Sequence, residues 1–121
     1  FPANKCLHEL FELQAHKHSD RTALVFDGEK MSYGELNGRA NKLANYLISH
    51  TEVKPDRLIG VCLDRSFDMI VSILAVLKAG CAYVPLDPQY PETRLQNMVD
   101  DAGLDIVLTS QQQIQDHQFL P

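Results

Sequence analysis

Apolar residues recur along this chain in different rhythms, and each rhythm predicts a different element. Leu7, Leu10 and Phe11 fall at helical spacing, with Glu9, Glu12 and Gln14 between them. That predicts an amphipathic helix stopping near His18-Ser19-Asp20. Residues 23–26 form a short apolar run, Asp27-Gly28 is a two-residue turn signal, and Lys30-Met31-Ser32 is the return arm of a hairpin. A second helix then has a marked start. Ser32 is placed to cap it, Glu35 lies at its third position to complete a capping box, and Met31 with Leu36 forms a hydrophobic staple. Leu36, Ala40, Leu43, Ala44, Leu47 and Ile48 line one face of this helix; Asn37, Arg39, Asn41, Lys42 and Asn45 line the other.

After a loop at Pro55-Asp56 the rhythm changes. Leu58-Ile59-Gly60-Val61-Cys62-Leu63 is apolar on both faces, as a central parallel strand must be. Ser66 caps a third helix that is apolar nearly all round, and Gly80 is placed to end it in a left-handed conformation. Ala82-Tyr83-Val84 is the next strand. Pro91 suits the first position of a fourth helix, whose buried stripe is Leu95, Met98, Val99 and Ala102 and whose stop is Gly103. Ile106-Val107-Leu108 is the last strand, and residues 111–121 form a Gln-rich, weakly ordered tail. Strands alternating with helices in this way predict an α/β fold: a mainly parallel sheet flanked by helices, with right-handed crossovers, preceded by a β-hairpin. No internal repeat or domain linker interrupts it.

Composition narrows the function. The 121 residues suffice for one small core, and a hydrophobic fraction of 45% is globular. A net charge of -5, with basic residues scattered among acids, argues against a nucleic-acid or anionic-membrane footprint. Cys62 and Cys81 sit in or beside apolar runs and read as small buried hydrophobes, while Cys6 stands apart. No Cys/His ligand spacing is present, and the cysteine usage fits a reducing cytoplasm. The most apolar stretch, residues 69–77, is too short to span a bilayer.

Candidate chemistry is sparse. The six glycines are isolated from one another, so neither a GxGxxG nor a Walker-type phosphate cradle occurs, and there is no GxSxG elbow. His16 and His18 lack the helical i, i+4 spacing of a metal pair and belong to a solvated surface. Asp100-Asp101 oppose a helix dipole at its C-terminus and read as a solvated end. Lys78 suits the dipole of the third helix; a contact with an anion is the alternative.

Three segments carry a resemblance. The opening Cys6-Leu7-His8-Glu9-Leu10-Phe11 with Gln14, the stretch Met31-Ser32-Tyr33-Gly34-Glu35-Leu36-Asn37 with Arg39-Ala40-Asn41, and residues 77–87 followed by Pro88, Tyr90, Pro91, Arg94, Leu95 and Asp101 appear in order and at matching intervals. They resemble the entry and the first two core motifs of the amino-acid adenylation domains of nonribosomal peptide synthetases, within the AMP-binding superfamily. The resemblance runs to Leu108-Thr109-Ser110. It implies that residues 1–110 are the N-terminal part of an adenylation core subdomain and 111–121 lead toward its remainder.

The parent enzymes of that family join an amino acid to ATP, with Mg²⁺, and release pyrophosphate. They then pass the aminoacyl group to the phosphopantetheine thiol of a carrier domain. The phosphate loop, specificity pocket, ribose-binding aspartate and catalytic lysine of the family have no counterpart here, so the resemblance implies no catalytic, cofactor-binding or metal-binding residue in this chain. Ser32, Tyr33, Glu35, Leu36, Lys78, Ala79, Gly80, Ala82, Tyr83, Pro85, Asp87, Pro88, Tyr90, Pro91 and Arg94 are then structural motif residues. Of these, Tyr83, Pro85, Asp87 and Tyr90 are also candidates for a cleft wall or interface. The implied partners are the rest of the adenylation domain and the condensation and peptidyl carrier domains of the same assembly line.

Two classes of function follow: an inactive piece of an adenylating ligase (engineered, proteolytic, or one chain of a split enzyme), or a docking module that associates through exposed core. An acyl-CoA ligase-type relative shares the general fold.

Overall fold

The computed structural model describes residues 7–52, 57–110 and 113. Helix α1, Leu7–Lys17, is followed by the hairpin strands β1, Thr22–Phe26, and β2, Glu29–Ser32. Helix α2, Tyr33–His50, leads to strand β3, Leu58–Cys62, and helix α3, Phe67–Lys78. Strand β4, Ala82–Pro85, helix α4, Glu92–Ala102, and strand β5, Val107–Thr109, complete the order. The hairpin is a separate two-stranded antiparallel unit, and the main sheet has the order β4-β3-β5, parallel throughout. This is the α/β architecture expected from the pattern.

Local chemistry places the ends of the elements. Asp27 and Gly28 both have positive φ (50 and 81), as a tight hairpin turn of the primed type requires. The Glu35 N–H donates to Ser32 Oγ at 3.1 Å and the Met69 N–H to Ser66 Oγ at 3.2 Å, so both serines cap the helices they precede. The Glu35 carboxylate reaches forward to Arg39, at 3.8 Å, instead of closing the capping box. Gly80 (φ 82) locks the end of α3: its N–H donates to the Leu77 carbonyl, and the Cys81 N–H donates to that of Val76. Gly103 does the same for α4, with bonds to Asp100 and from Leu104 to Val99. Each lock reverses the chain directly toward its next strand.

Successive side chains of β3 point to opposite faces of the sheet. Ile59, Val61 and Leu63 pack with Leu47 of α2, Val76 of α3 and Ala79, the residue that ends α3. Cys62 packs on the other side with Leu86 and with Leu95 and Val99 of α4. A third cluster joins Met31, Leu36, Ala40, Val71 and Leu74, with Phe11 and Leu24 at its margin, and so ties α1 and the hairpin to α2 and α3.

Two further expectations need correction, and three fall elsewhere. Ile48 is not on the buried face of α2; it is 49% exposed. Pro91 is the residue before α4, with an extended ψ of 145, and not its first helical residue. The turn that precedes it, closed by the Tyr90 N–H to the Asp87 carbonyl, delivers the chain in an extended state. The Pro55-Asp56 loop, Cys6 and the tail apart from Gln113 lie outside the described residues.

Candidate functional site

Strands β3 and β4 run in the same direction, so their carboxyl ends meet at one rim of the sheet. From there α3 departs to one face and α4 packs on the other. Such a divergence opens a crevice at the rim. Here it has a volume of about 690 Å³ and is lined by Val61, Leu63, Asp64 and Arg65 from β3 and its exit, Met69 and Ile73 from α3, Tyr83 and Pro85 from β4, and the stretch from Leu86 to Tyr90 with Arg94 and Met98.

The loop leaving β4 is held by its own polar groups. The Leu86 N–H donates to the Val61 carbonyl at 2.9 Å, extending the β3–β4 ladder by one residue. Asp87 Oδ1 accepts from the Gln89 N–H at 2.9 Å, a side-chain turn that Pro88 stiffens further. The Arg94 guanidinium lies 4.0 Å from the centroid of the Tyr90 ring, a cation–π contact across the start of α4. Tyr83, Pro85, Asp87, Pro88, Tyr90 and Arg94 therefore line one crevice. Asp64, Arg65, Met69 and Ile73 complete it. The Asp64-Arg65-Ser66 exit from a strand into a capped helix was the signal in the sequence that could have marked them.

The remaining motif residues lie elsewhere. Ser32, Tyr33, Glu35 and Leu36 start α2, beside the hairpin. Lys78, Ala79, Gly80 and Ala82 sit at the opposite end of β4 from Asp87, where the chain enters the sheet. Pro91 abuts α4, and its carbonyl accepts from the Leu95 N–H at 3.1 Å. Lys78 has found an anion within its own chain: its Nζ donates to the carboxylate of Glu12 on α1.

Beneath the crevice, burial pushes the Cys62 thiol up from 9.0 to about 11, helped by the charges of Asp64 and Asp87. A thiol held protonated in this way is a packing group and a poor nucleophile. Because the folded state holds this proton more tightly than the unfolded chain, stability is fully present below about pH 9 and falls as pH rises from 9 to about 11. The loss attributable to Cys62 is on the order of 2 kcal/mol. Urea midpoints measured across that range are expected to decline more steeply for the native chain than for Cys62→Ala; equal slopes would contradict this account.

Among the described residues, no group of three or more His, Cys, Asp and Glu side chains is arranged to hold a metal ion. The N–H groups of Gly80 and Gly103 are engaged by helix carbonyls. A second, more polar groove of about 720 Å³ runs between α1 and α2, lined by Glu9, Glu12, His16, Ser19, Asn37 and Asn41 among others.

A sequence model of the family described as AMP-binding enzyme matches residues 11–121. The chain belongs to the AMP-binding enzyme family. Among such enzymes it is similar to bacitracin synthase 3 of Bacillus licheniformis, at 51% identity over 108 residues. The match takes in 89% of this chain and 2% of that protein. Gramicidin S synthase 2 of Brevibacillus brevis is 46% identical over 119 residues, 98% of this chain and 3% of that protein. The chain thus spans only a few hundredths of the length of these relatives. A solved nonribosomal peptide synthetase structure, FmoA3 bound to α-methyl-L-serine-AMP, superposes with a TM-score of 0.90 at 32% identity, over 100% of this chain and 14% of that one. The N-terminal subdomain of NpsA from Klebsiella oxytoca matches with a TM-score of 0.78 at 27% identity, covering 93% of this chain and 33% of that one. The sequence aligns with the N-terminal part of nonribosomal-peptide-synthetase adenylation domains in this family. No helix among the described residues is long and apolar enough to cross a membrane.

Proposed function

We propose that this chain is the scaffold portion of an amino-acid-activating ligase and performs no chemistry by itself. The whole enzyme would join an amino acid to ATP, with Mg²⁺, release pyrophosphate, and hand the aminoacyl group to a carrier-bound phosphopantetheine. Condensation and carrier domains in the cytoplasm would be its partners. The observation that carries the reading is the pairing of a synthetase-like sequence with motif residues engaged in caps, locks and turns. Ser32 starts one helix, Gly80 stops another, and Asp87 folds a loop. ATP, Mg²⁺ and phosphopantetheine would be bound by residues other than these.

The test is ATP–pyrophosphate exchange with a panel of amino acids. The whole protein carrying this sequence is expected to exchange with at least one of them, and the 121-residue chain alone to give the blank rate. Exchange by the isolated chain would overturn the scaffold reading. A whole protein that exchanges with none would overturn the ligase reading.

A further inference from the structure

We propose that the two core motifs, distant in sequence, together form the seat of helix α1, with Lys78 and Gly34 as the residues that position it. Three contacts converge on that helix and the turn after it. The Lys78 side chain is 5% exposed, yet its ammonium is charge-paired with Glu12, in the middle of α1. A buried ammonium without a partner is costly, so the pair is held from the inside outward. Gly34 lies against Ser19 just beyond α1. Its N–H donates to the Ser19 carbonyl at 3.0 Å, and a Cβ placed there would stand 3.2 Å from both that oxygen and the Ser19 Cβ. Tyr33 adds its ring, 5.7 Å from that of Phe11, and its N–H, donated to the Arg21 carbonyl.

Motif 1 thus grips the turn after α1 and, through Tyr33, the middle of the helix, where motif 2 also holds it through Lys78. The role concerns the fold of the chain and does not depend on which reaction the whole enzyme carries out.

Amide hydrogen exchange in Glu12→Gln, Lys78→Met and the double variant tests it, with α4 on the opposite face of the sheet as the internal reference. Glu12→Gln alters a half-exposed side chain and leaves the core intact, so this variant is expected to fold. It should accelerate exchange in α1 about tenfold and leave α4 unchanged, as local opening does. In the double variant the effect should fall well short of the product of the two single effects, since the same pair is removed twice. Gly34→Ala should accelerate the same α1 amides. Equal acceleration in α1 and α4, or unchanged α1 exchange in all the variants, would overturn the proposal.

Discussion

Ile59→Ala is expected to lower the unfolding free energy by about 3 kcal/mol. Ile59 is fully buried in the central strand, in one core cluster with Leu47 of α2, Val76 of α3 and Ala79 at the end of α3. Removing three carbons there loses their transfer energy and leaves a cavity. The cavity cannot close easily, because β3 is paired on both edges, with Ile59 opposite Tyr83 on one side and Gly60 opposite Val107 on the other. A domain of this size has a total stability of roughly 5–15 kcal/mol, so the loss is a large share of it. Urea unfolding should show a lower midpoint at an unchanged slope. A loss under about 1 kcal/mol would mean that the three layers relax far more than their packing indicates.

The neighbouring residue fails for the opposite reason. At Gly60 a Cβ would stand 3.0 Å from Leu104 Cδ1, 3.1 Å from Val107 Cγ2 and 3.2 Å from Leu86 Cδ1. All three are ends of side chains, so Gly60→Ala can be accommodated by shifts of a few tenths of an ångström and should cost about 1 kcal/mol. Gly60→Val adds two more methyl groups directed into the Leu86, Leu95, Val99 and Leu104 cluster. It must push α4 or β5 away from the sheet, at a cost of about 3 kcal/mol or more. Thermal melts should fall in the order Gly, Ala, Val, with Val more than about 10 °C below the native chain. A Val variant melting close to the native chain would show that the α4 face is loosely packed.

These two neighbours illustrate how far local pattern reaches. The apolar run from Leu58 to Leu63 identifies the central strand, and the rule of alternation assigns its two faces. Signals that act over three or four residues are legible in the sequence and hold in the fold: the Ser32 and Ser66 caps, the Asp27-Gly28 turn, and the Gly80 and Gly103 stops. Ile48 departs from its expected face because it lies about 100° around the helix from Leu47, at the margin of the stripe, where the width of the opposing surface decides burial. The partner of Lys78 is 66 residues away, and no local pattern encodes such a distance. The crevice at the sheet rim is only half visible in the sequence. Its β4 loop lies within a recognised motif, whereas Asp64 and Arg65 acquire their position only once β3 and β4 are paired.

The pairing of β3 with β5 also dictates an order of assembly. The Thr109 hydroxyl closes onto the Cys62 carbonyl across 47 residues of sequence. During synthesis at about 5–20 residues per second, β3 must wait roughly 2–10 s after its own emergence before its second neighbour exists. Throughout that interval one edge of the most apolar strand, with Cys62 on the face α4 will cover, is open to any passing strand. The α1–α2–hairpin unit, by contrast, is complete once α3 has appeared. The nascent chain therefore spends its most adhesive moments with one half folded and the other half waiting, and it is during this wait that a ribosome-associated chaperone would have most to protect.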